Sequence, residues 1–194
     1  MAVESLYREP ERAAGELEWP ALAFNDVFKL YRSGPVETVA LRGLDLRIER
    51  GEIVALLGPS GSGKSTFLQL AAGMDQPSAG EVRAFGQSLG RLDDRGLARY
   101  RGAQIAVVLQ SDNLWSSLTA LENVAASLDL AGREERHGQA RAALGEFGLE
   151  HRGAPYPTQL SGGAQQRVAI AAAAPRQAAL VLAHDPSGPH VAPH

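Results

Sequence analysis

Apolar residues along the chain fall into short runs whose period switches between two and roughly three and a half. From Leu22 to Tyr31 and from Val39 to Ile48 such runs flank a Ser33-Gly34-Pro35 turn, and Leu44, Leu46 and Ile48 alternate with Asp45 and Arg47. Alternation puts one face of a strand inside and the other in water, so both runs are predicted as strands. Gly51 then precedes Ile53-Val54-Ala55-Leu56-Leu57, a continuous apolar run of strand length that predicts a buried parallel strand. It leads into a glycine-rich turn. Thr66 to Gly73 reads as a helix, and Glu81 to Phe85 as a strand bounded by Gly80 and Gly86. Arg91 to Arg101 is polar and arginine-rich and predicts no element. Ile105 to Leu109 is a second apolar strand, Leu118 to Leu130 and Gln139 to Leu149 have helical spacing, and Leu180 to Ala183 is a third buried strand. Strands interleaved with helices predict an α/β fold with a mainly helical middle.

The two ends carry little of this pattern. Residues 1–20 hold Glu4, Glu9, Glu11, Glu16 and Glu18 with hardly any apolar periodicity, and are expected to form a loosely ordered leader. The stretch Pro186 to His194 is rich in proline, histidine and glycine, and 189–194 is read as a tail.

Composition narrows the chemistry. The 194 residues are 44% hydrophobic and 21% charged, with Lys+Arg 19 against Asp+Glu 22, the balance of an ordinary globular domain. A net charge of -3 offers no basic surface for a phosphodiester backbone, so nucleic acid is not an expected partner and any phosphate site must be local. The absence of cysteine removes disulfides, thiolate zinc sites and cysteine nucleophiles. The acidic start lacks the basic-then-apolar order of a secretory signal. The longest apolar candidate, Val168 to Ala183, is interrupted by Pro175, Arg176 and Gln177, short of the roughly 18–20 residues a membrane span needs. Contact with a membrane is therefore expected through a partner.

The glycine-rich turn is the most specific feature so far. Gly58-Pro59-Ser60-Gly61-Ser62-Gly63-Lys64-Ser65-Thr66 fits G-x-x-x-x-G-K-[ST] and lies between a strand and a helix, as a phosphate cradle requires. Glycines let successive N–H groups curl toward phosphate oxygens, and the helix start adds its positive dipole end. Lys64 supplies a charge for the terminal phosphates, and the Ser65 hydroxyl is a candidate Mg2+ ligand. ATP and Mg2+ are the expected ligands, the alternative being a glycine-rich turn that binds nothing.

Leu160-Ser161-Gly162-Gly163-Ala164-Gln165-Gln166-Arg167 followed by Val168-Ala169-Ile170-Ala171 resembles the LSGGQ-type signature of ABC ATPases. Read without that likeness, Ser-Gly-Gly is a helix N-cap. The resemblance runs from about Phe24 to Gly188. It implies a P-loop NTPase core with a mixed sheet, an N-terminal antiparallel β subdomain and an inserted helical subdomain, the domain spanning 21–188 with its helical part at about 111–165. It further implies that Leu160, Ser161, Gly162, Gly163 and Gln165 contact the ATP held by a second nucleotide-binding domain in a head-to-tail dimer. Tyr31 matches the aromatic that stacks on adenine, although a tyrosine ending a strand also packs without a ligand. Gln110 matches the glutamine that touches Mg2+ and senses the membrane domain. Gln110 to Val124, with Leu118-Thr119-Ala120-Leu121-Glu122-Asn123, is similar to the lipoprotein-releasing and macrolide-export branch. A homodimer or heterodimer of nucleotide-binding domains and a membrane permease subunit are implied, the chain being cytoplasmic and peripheral on the inner face of the cell membrane through that permease.

One region departs from that pattern. Where the family carries an Asp for magnesium and then a catalytic Glu, this chain has His184-Asp185-Pro186-Ser187-Gly188; matched without gaps from Ser161, His184 takes the magnesium position and Asp185 that of the Glu, while a one-residue slip makes Asp185 the magnesium-site carboxylate and leaves Pro186 at the base position. Imidazole is a poor partner for Mg2+, and Asp185 keeps a carboxylate one methylene short, an offset that costs about a hundredfold in rate. The resemblance also implies truncation before the D-loop and the switch histidine. ABC-type ATP hydrolysis is the expected activity, with a hydrolysis-impaired ATP-binding module or a truncated non-functional homologue as alternatives.

Overall fold

The computed structural model describes residues 2–5, 19–108, 113–130, 132, 136–174 and 178–183. The chain divides into two compact units, Met1–Leu97 and Ala98–His194.

The first unit is built on an antiparallel sheet. Strands β2 (Leu22–Ser33) and β3 (Val36–Ile48) form a long hairpin, β5 (Ala79–Ala84) lies on the other side of β2, and the short β6 (Gln87–Ser88) follows. The register Leu22↔Ile48 and Leu22↔Ala84 turns Leu22, Phe24, Ile48, Val82 and Ala84 into the core, where all are buried. Helix α1 (Lys64–Ala71) adds Phe67, Leu70 and Ala71. Phe24 and Phe67 stack with centroids 4.6 Å apart and planes at 22°, a pair worth about 0.5–1.5 kcal/mol beyond its buried area. The helix that follows the glycine turn is thereby fixed to β2.

Strand β4 (Val54–Leu57) departs from its prediction. It pairs antiparallel with β1 (Ala2–Ser5), in the register Ala2↔Leu57 to Ser5↔Val54, and Ile53 and Leu57 are 69% and 51% exposed. The run was expected to be a buried parallel strand and the leader to be loosely ordered. Backbone pairing explains the difference. A strand edge offers N–H and C=O groups irrespective of side-chain pattern, so four leader residues can add to it without apolar periodicity.

In the second unit β7 (Ile105–Val108) and β8 (Leu180–Ala183) are strands where their apolar runs predict them and pair in parallel, Ile105↔Leu180 through Val108↔Ala183; Leu109 lies outside the described residues, and β8, expected to be buried, buries Leu182 alone, with Val181 58% exposed. Helices α3 (Ala120–Leu130), α4 (Arg136–Glu146) and α5 (Gly162–Ala173) enclose Val124, Leu128, Leu144, Leu149, Leu160 and Val168. Helix α3 opens on a capping box. Thr119 N and Oγ1 both donate to Glu122 Oε2 at 2.8 Å, and Glu122 N donates back to Thr119 Oγ1 at 3.3 Å. Helix α4 ends three residues before the predicted Leu149, because Gly148 at φ 68° closes it: Gly148 N donates to Gly145 O and Leu149 N to Leu144 O. Leu149 is buried as the residue beyond that stop.

Helix α2 (Asp94–Ala103) was not predicted. Its start is fixed by Asp93, whose carboxylate accepts from Gly96 N at 2.7 Å, and it is anchored by Tyr100, buried deeply enough to push its phenol pKa up. One aromatic anchor among arginines gives no periodicity to read. Among the described residues no helix is long and apolar enough to cross a membrane.

Candidate functional site

The turn from β4 into α1 owes its form to glycine and to the sheet behind it. Gly63 sits at φ 91°, and a Cβ there would meet the carbonyl oxygen of Ala40 at 2.6 Å and Leu41 Cδ2 at 2.9 Å. The β3 backbone thus presses on the loop at its last glycine. Gly63 is also the N-cap of α1, and no side chain among the described residues caps that helix. A helix start without a side-chain acceptor presents backbone donors and the positive dipole end to an anion. Thr66 is buried and Ser65 exposed, so of the two hydroxyls in the first turn Ser65 is the one turned outward. An open cavity of about 550 Å³ runs along 39–45 beside Gly61 and Ser62.

Lys64 folds over this loop. Its Nζ donates to Gly58 O at 2.6 Å, to Pro59 O at 2.9 Å and to Ser62 Oγ at 3.4 Å. An ammonium has three donors and no acceptor, so phosphate oxygens entering the cradle compete with loop carbonyls for the same protons.

Tyr31, near the end of β2, is 38% exposed. Its hydroxyl donates to Asp75 Oδ2 at 3.0 Å and lies 3.4 Å from Gln69 Oε1. Lys29 Nζ donates to Asp75 Oδ1 at 2.6 Å and to Gln76 O at 2.8 Å, and stands 4.9 Å from the Tyr31 ring centroid. Burial raises the Asp75 carboxyl, but hydrogen bonds from Lys29, the Gln76 amide and Tyr31, with the Lys29 charge, outweigh it and hold the pKa below the usual carboxylate value. Lys29 and Asp75 were not singled out from the sequence. The i, i+2 spacing of Lys29 and Tyr31 puts both on one strand face, a usable signal for half of this group; Asp75 is joined to it only by folding.

The second predicted anion surface lies in the other unit. Ser161 is the N-cap of α5, its Oγ accepting from Ala164 N at 3.3 Å, while Gly162 and Gly163 are exposed with nothing within 4 Å of a built Cβ. Leu160 is buried in the helical core. Gln165 turns back, its Nε2 donating to Pro157 O at 2.8 Å and Leu160 O at 3.2 Å. In this arrangement Gln165 braces the loop before the helix, and the Ser161-Gly162-Gly163 start is the part open to a ligand. Gln110, His184 and Asp185 lie outside the described residues.

A strand, a glycine loop closing on a helix start, and a lysine over the loop define a P-loop nucleotide-binding protein, and the Ser-Gly-Gly start of α5 presents a second exposed helix N-terminus. A family model described as ABC transporter matches residues 41–188. The chain belongs to the ABC transporter family, a family of ATPases, as an ATP-binding subunit. It is 43% identical over 178 residues to the lipoprotein-releasing system ATP-binding protein LolD of Chromohalobacter salexigens, covering 87% of this chain and 75% of that one. It is 42% identical over 171 residues to the macrolide export ATP-binding/permease protein MacB of Marinobacter nauticus, covering 87% of this chain and 27% of that longer one. Among solved structures it is similar to the ATP-binding cassette MJ0796 in a dimeric post-hydrolysis state bound to ADP and Pi. There the TM-score is 0.82 at 40% identity, covering 86% of this chain and 74% of that one.

Proposed function

We propose that this chain holds ATP through Gly58 to Thr66 and couples its occupancy to a membrane permease for lipoprotein release or export. The observation that carries the binding step is the P-loop itself, with Gly63 pressed against β3, an α1 start without a side-chain cap, and Lys64 reaching over the loop. Relatives named for lipoprotein release and macrolide export support the transport role, and the dimeric cassette supports pairing of two nucleotide-binding domains. In such a pair the Ser161-Gly162-Gly163 start of α5 serves the ATP bound by the other copy. The subunit then works at the inner face of the cell membrane, held by its permease.

The exposed Ser65 hydroxyl, a hard oxygen donor in the first turn of α1, fits a magnesium ion; Gln110 is the second residue assigned to it. Held there, magnesium would neutralise charge on the nucleotide phosphates. Lys64 and the amides at the helix start hold the phosphates, Tyr31 stacks on the base, and Asp185 orients the attacking water.

A second reading rests on His184 and Asp185, which the resemblance, matched without gaps from Ser161, puts where the family carries Asp and Glu. Under it the chain binds ATP and transmits occupancy with little turnover, since losing general-base help costs roughly 10²–10⁴ in rate. Titration with Mg2+-ATP followed by a phosphate-release assay separates the readings. Micromolar binding with steady phosphate release supports the ATPase. Binding without release supports the occupancy module, and a His184→Asp, Asp185→Glu double variant should then gain turnover. No binding by the native chain, matched by Lys64→Met, would refute both.

A further inference from the structure

We propose that Lys29 and Asp75 are positioning residues that hold the Tyr31 ring in the orientation from which it stacks on the nucleotide base. The inference rests on the reading of Tyr31 as the base-stacking residue and adds what fixes it there.

The arrangement is over-determined for a surface tyrosine. The Lys29 side chain is 12% exposed and its ammonium meets three partners: Asp75 Oδ1, Gln76 O and the face of the Tyr31 ring. An ammonium has three protons, so each partner accounts for one. The Asp75 carboxylate serves both residues, Oδ1 accepting from Lys29 Nζ and from Gln76 N at 2.7 Å, and Oδ2 from the Tyr31 hydroxyl. The ring is held at two points, by its hydroxyl and through one face. That face carries the cation, an attraction of electrostatic origin that strengthens as water is excluded. In this proposal a flat ligand takes the opposite face, and withdrawal of π density toward Lys29 favours contact with an electron-rich purine.

The group is also tied to the phosphate cradle through one helix. Helix α1 begins at Lys64 in the P-loop and ends in a left-handed glycine stop at Gly73 (φ 60°), with Gly73 N donating to Leu70 O at 3.1 Å and Met74 N to Gln69 O at 2.9 Å. Asp75 follows directly. Ser78 N donates to Phe28 O at 2.8 Å and Leu30 N to Ser78 Oγ at 3.0 Å, so the loop after the helix is stitched along β2 on either side of Lys29. At about 1.5 Å per residue the eight residues of α1 set a span of roughly 12 Å between the cradle and the clamp. One rigid element therefore places the group that holds the phosphates and the group that aims the aromatic ring.

A positioning role predicts selective loss of base binding. The probes are Mg2+-ATP and Mg2+-tripolyphosphate, which carries the phosphates without the nucleoside, titrated calorimetrically into the full chain. Lys29→Met and Asp75→Asn are expected to weaken ATP about three- to tenfold, the value of one aromatic contact, with tripolyphosphate affinity within twofold of the parent. Lys29→Arg, which keeps the cation, should recover most of the loss. Tyr31→Ala tests the underlying reading separately. If Tyr31→Ala selectively weakens ATP while Lys29→Met and Asp75→Asn do not, stacking stands and the positioning role is overturned. Equal loss of both ligands in Lys29→Met, unrepaired by Lys29→Arg, marks a purely structural pair and also overturns it. If Tyr31→Ala leaves ATP binding unchanged, the stacking reading fails and the inference with it.

Discussion

The carbonyl oxygen of Ala40 lies 2.6 Å from where a Cβ on Gly63 would stand. Strand β3 and the phosphate loop are therefore in backbone contact at a position no side chain can enter. At φ 91° any other residue also pays left-handed strain of about 1–2 kcal/mol. Gly63→Ala is expected to lower stability by at least that much and to remove ATP binding, because the loop must move off β3. Urea unfolding with and without Mg2+-ATP checks both parts; retention of ligand-induced stabilisation would contradict the account.

Lys64 behaves differently, because its loop partners are exposed carbonyls that water can satisfy in its place. Lys64→Met should leave the unfolding midpoint nearly unchanged and weaken ATP by roughly 10- to 100-fold, the value of charge-assisted hydrogen bonds of about 1.5–3 kcal/mol. A matched pair of melting and binding curves reads this out. A large loss of stability with normal affinity would reverse the assignment.

Asp75 has a pKa held below its ordinary value by Lys29, Gln76 and Tyr31 despite the opposing effect of burial. A depressed carboxylate contributes stability that is complete above the unfolded-state pKa of about 3.9 and lost as pH falls through the lower folded-state value. The parent should therefore exceed Asp75→Asn in unfolding free energy at pH 7. That gap should persist to about pH 4 and close below it. Urea midpoints of the two proteins from pH 7 to pH 3 give the comparison, and a constant gap across the range would exclude the linkage.

Ser161 caps α5 through its Oγ, so Ser161→Ala is expected to cost about 1 kcal/mol. Ser161→Gly should cost only a few tenths. If the hydroxyl also serves ATP on a partner copy, both variants should lose ATP-dependent dimerisation to a similar extent despite their unequal stabilities. Size-exclusion chromatography with Mg2+-ATP separates the two effects: dimerisation that tracks stability alone limits Ser161 to capping.

The local motifs were legible because their chemistry is contiguous. Gly58 to Thr66 and Leu160 to Gly163 each place their donors within a few residues, on a strand-to-helix turn and a helix start that periodicity also marks. Helix α2 was not legible, since Tyr100 is its one buried aromatic anchor and a lone anchor makes no period. The end of α4 was misjudged because Leu149 is buried from beyond the Gly148 stop. The pairing of β1 with β4 was invisible for a different reason: it is made by backbone groups, which every sequence carries.

By itself the sequence determined where the glycine-rich loop and the Ser-Gly-Gly helix start lie and which family they mark, because those properties depend on residue types at short fixed spacings. Tertiary structure alone decided what holds the cradle and its neighbours in place. The contact of Gly63 with Ala40, and the clamp of Lys29 and Asp75 on Tyr31, join residues 23 and 46 positions apart. Their energies come from distance and burial in three dimensions, and no spacing along the chain encodes either.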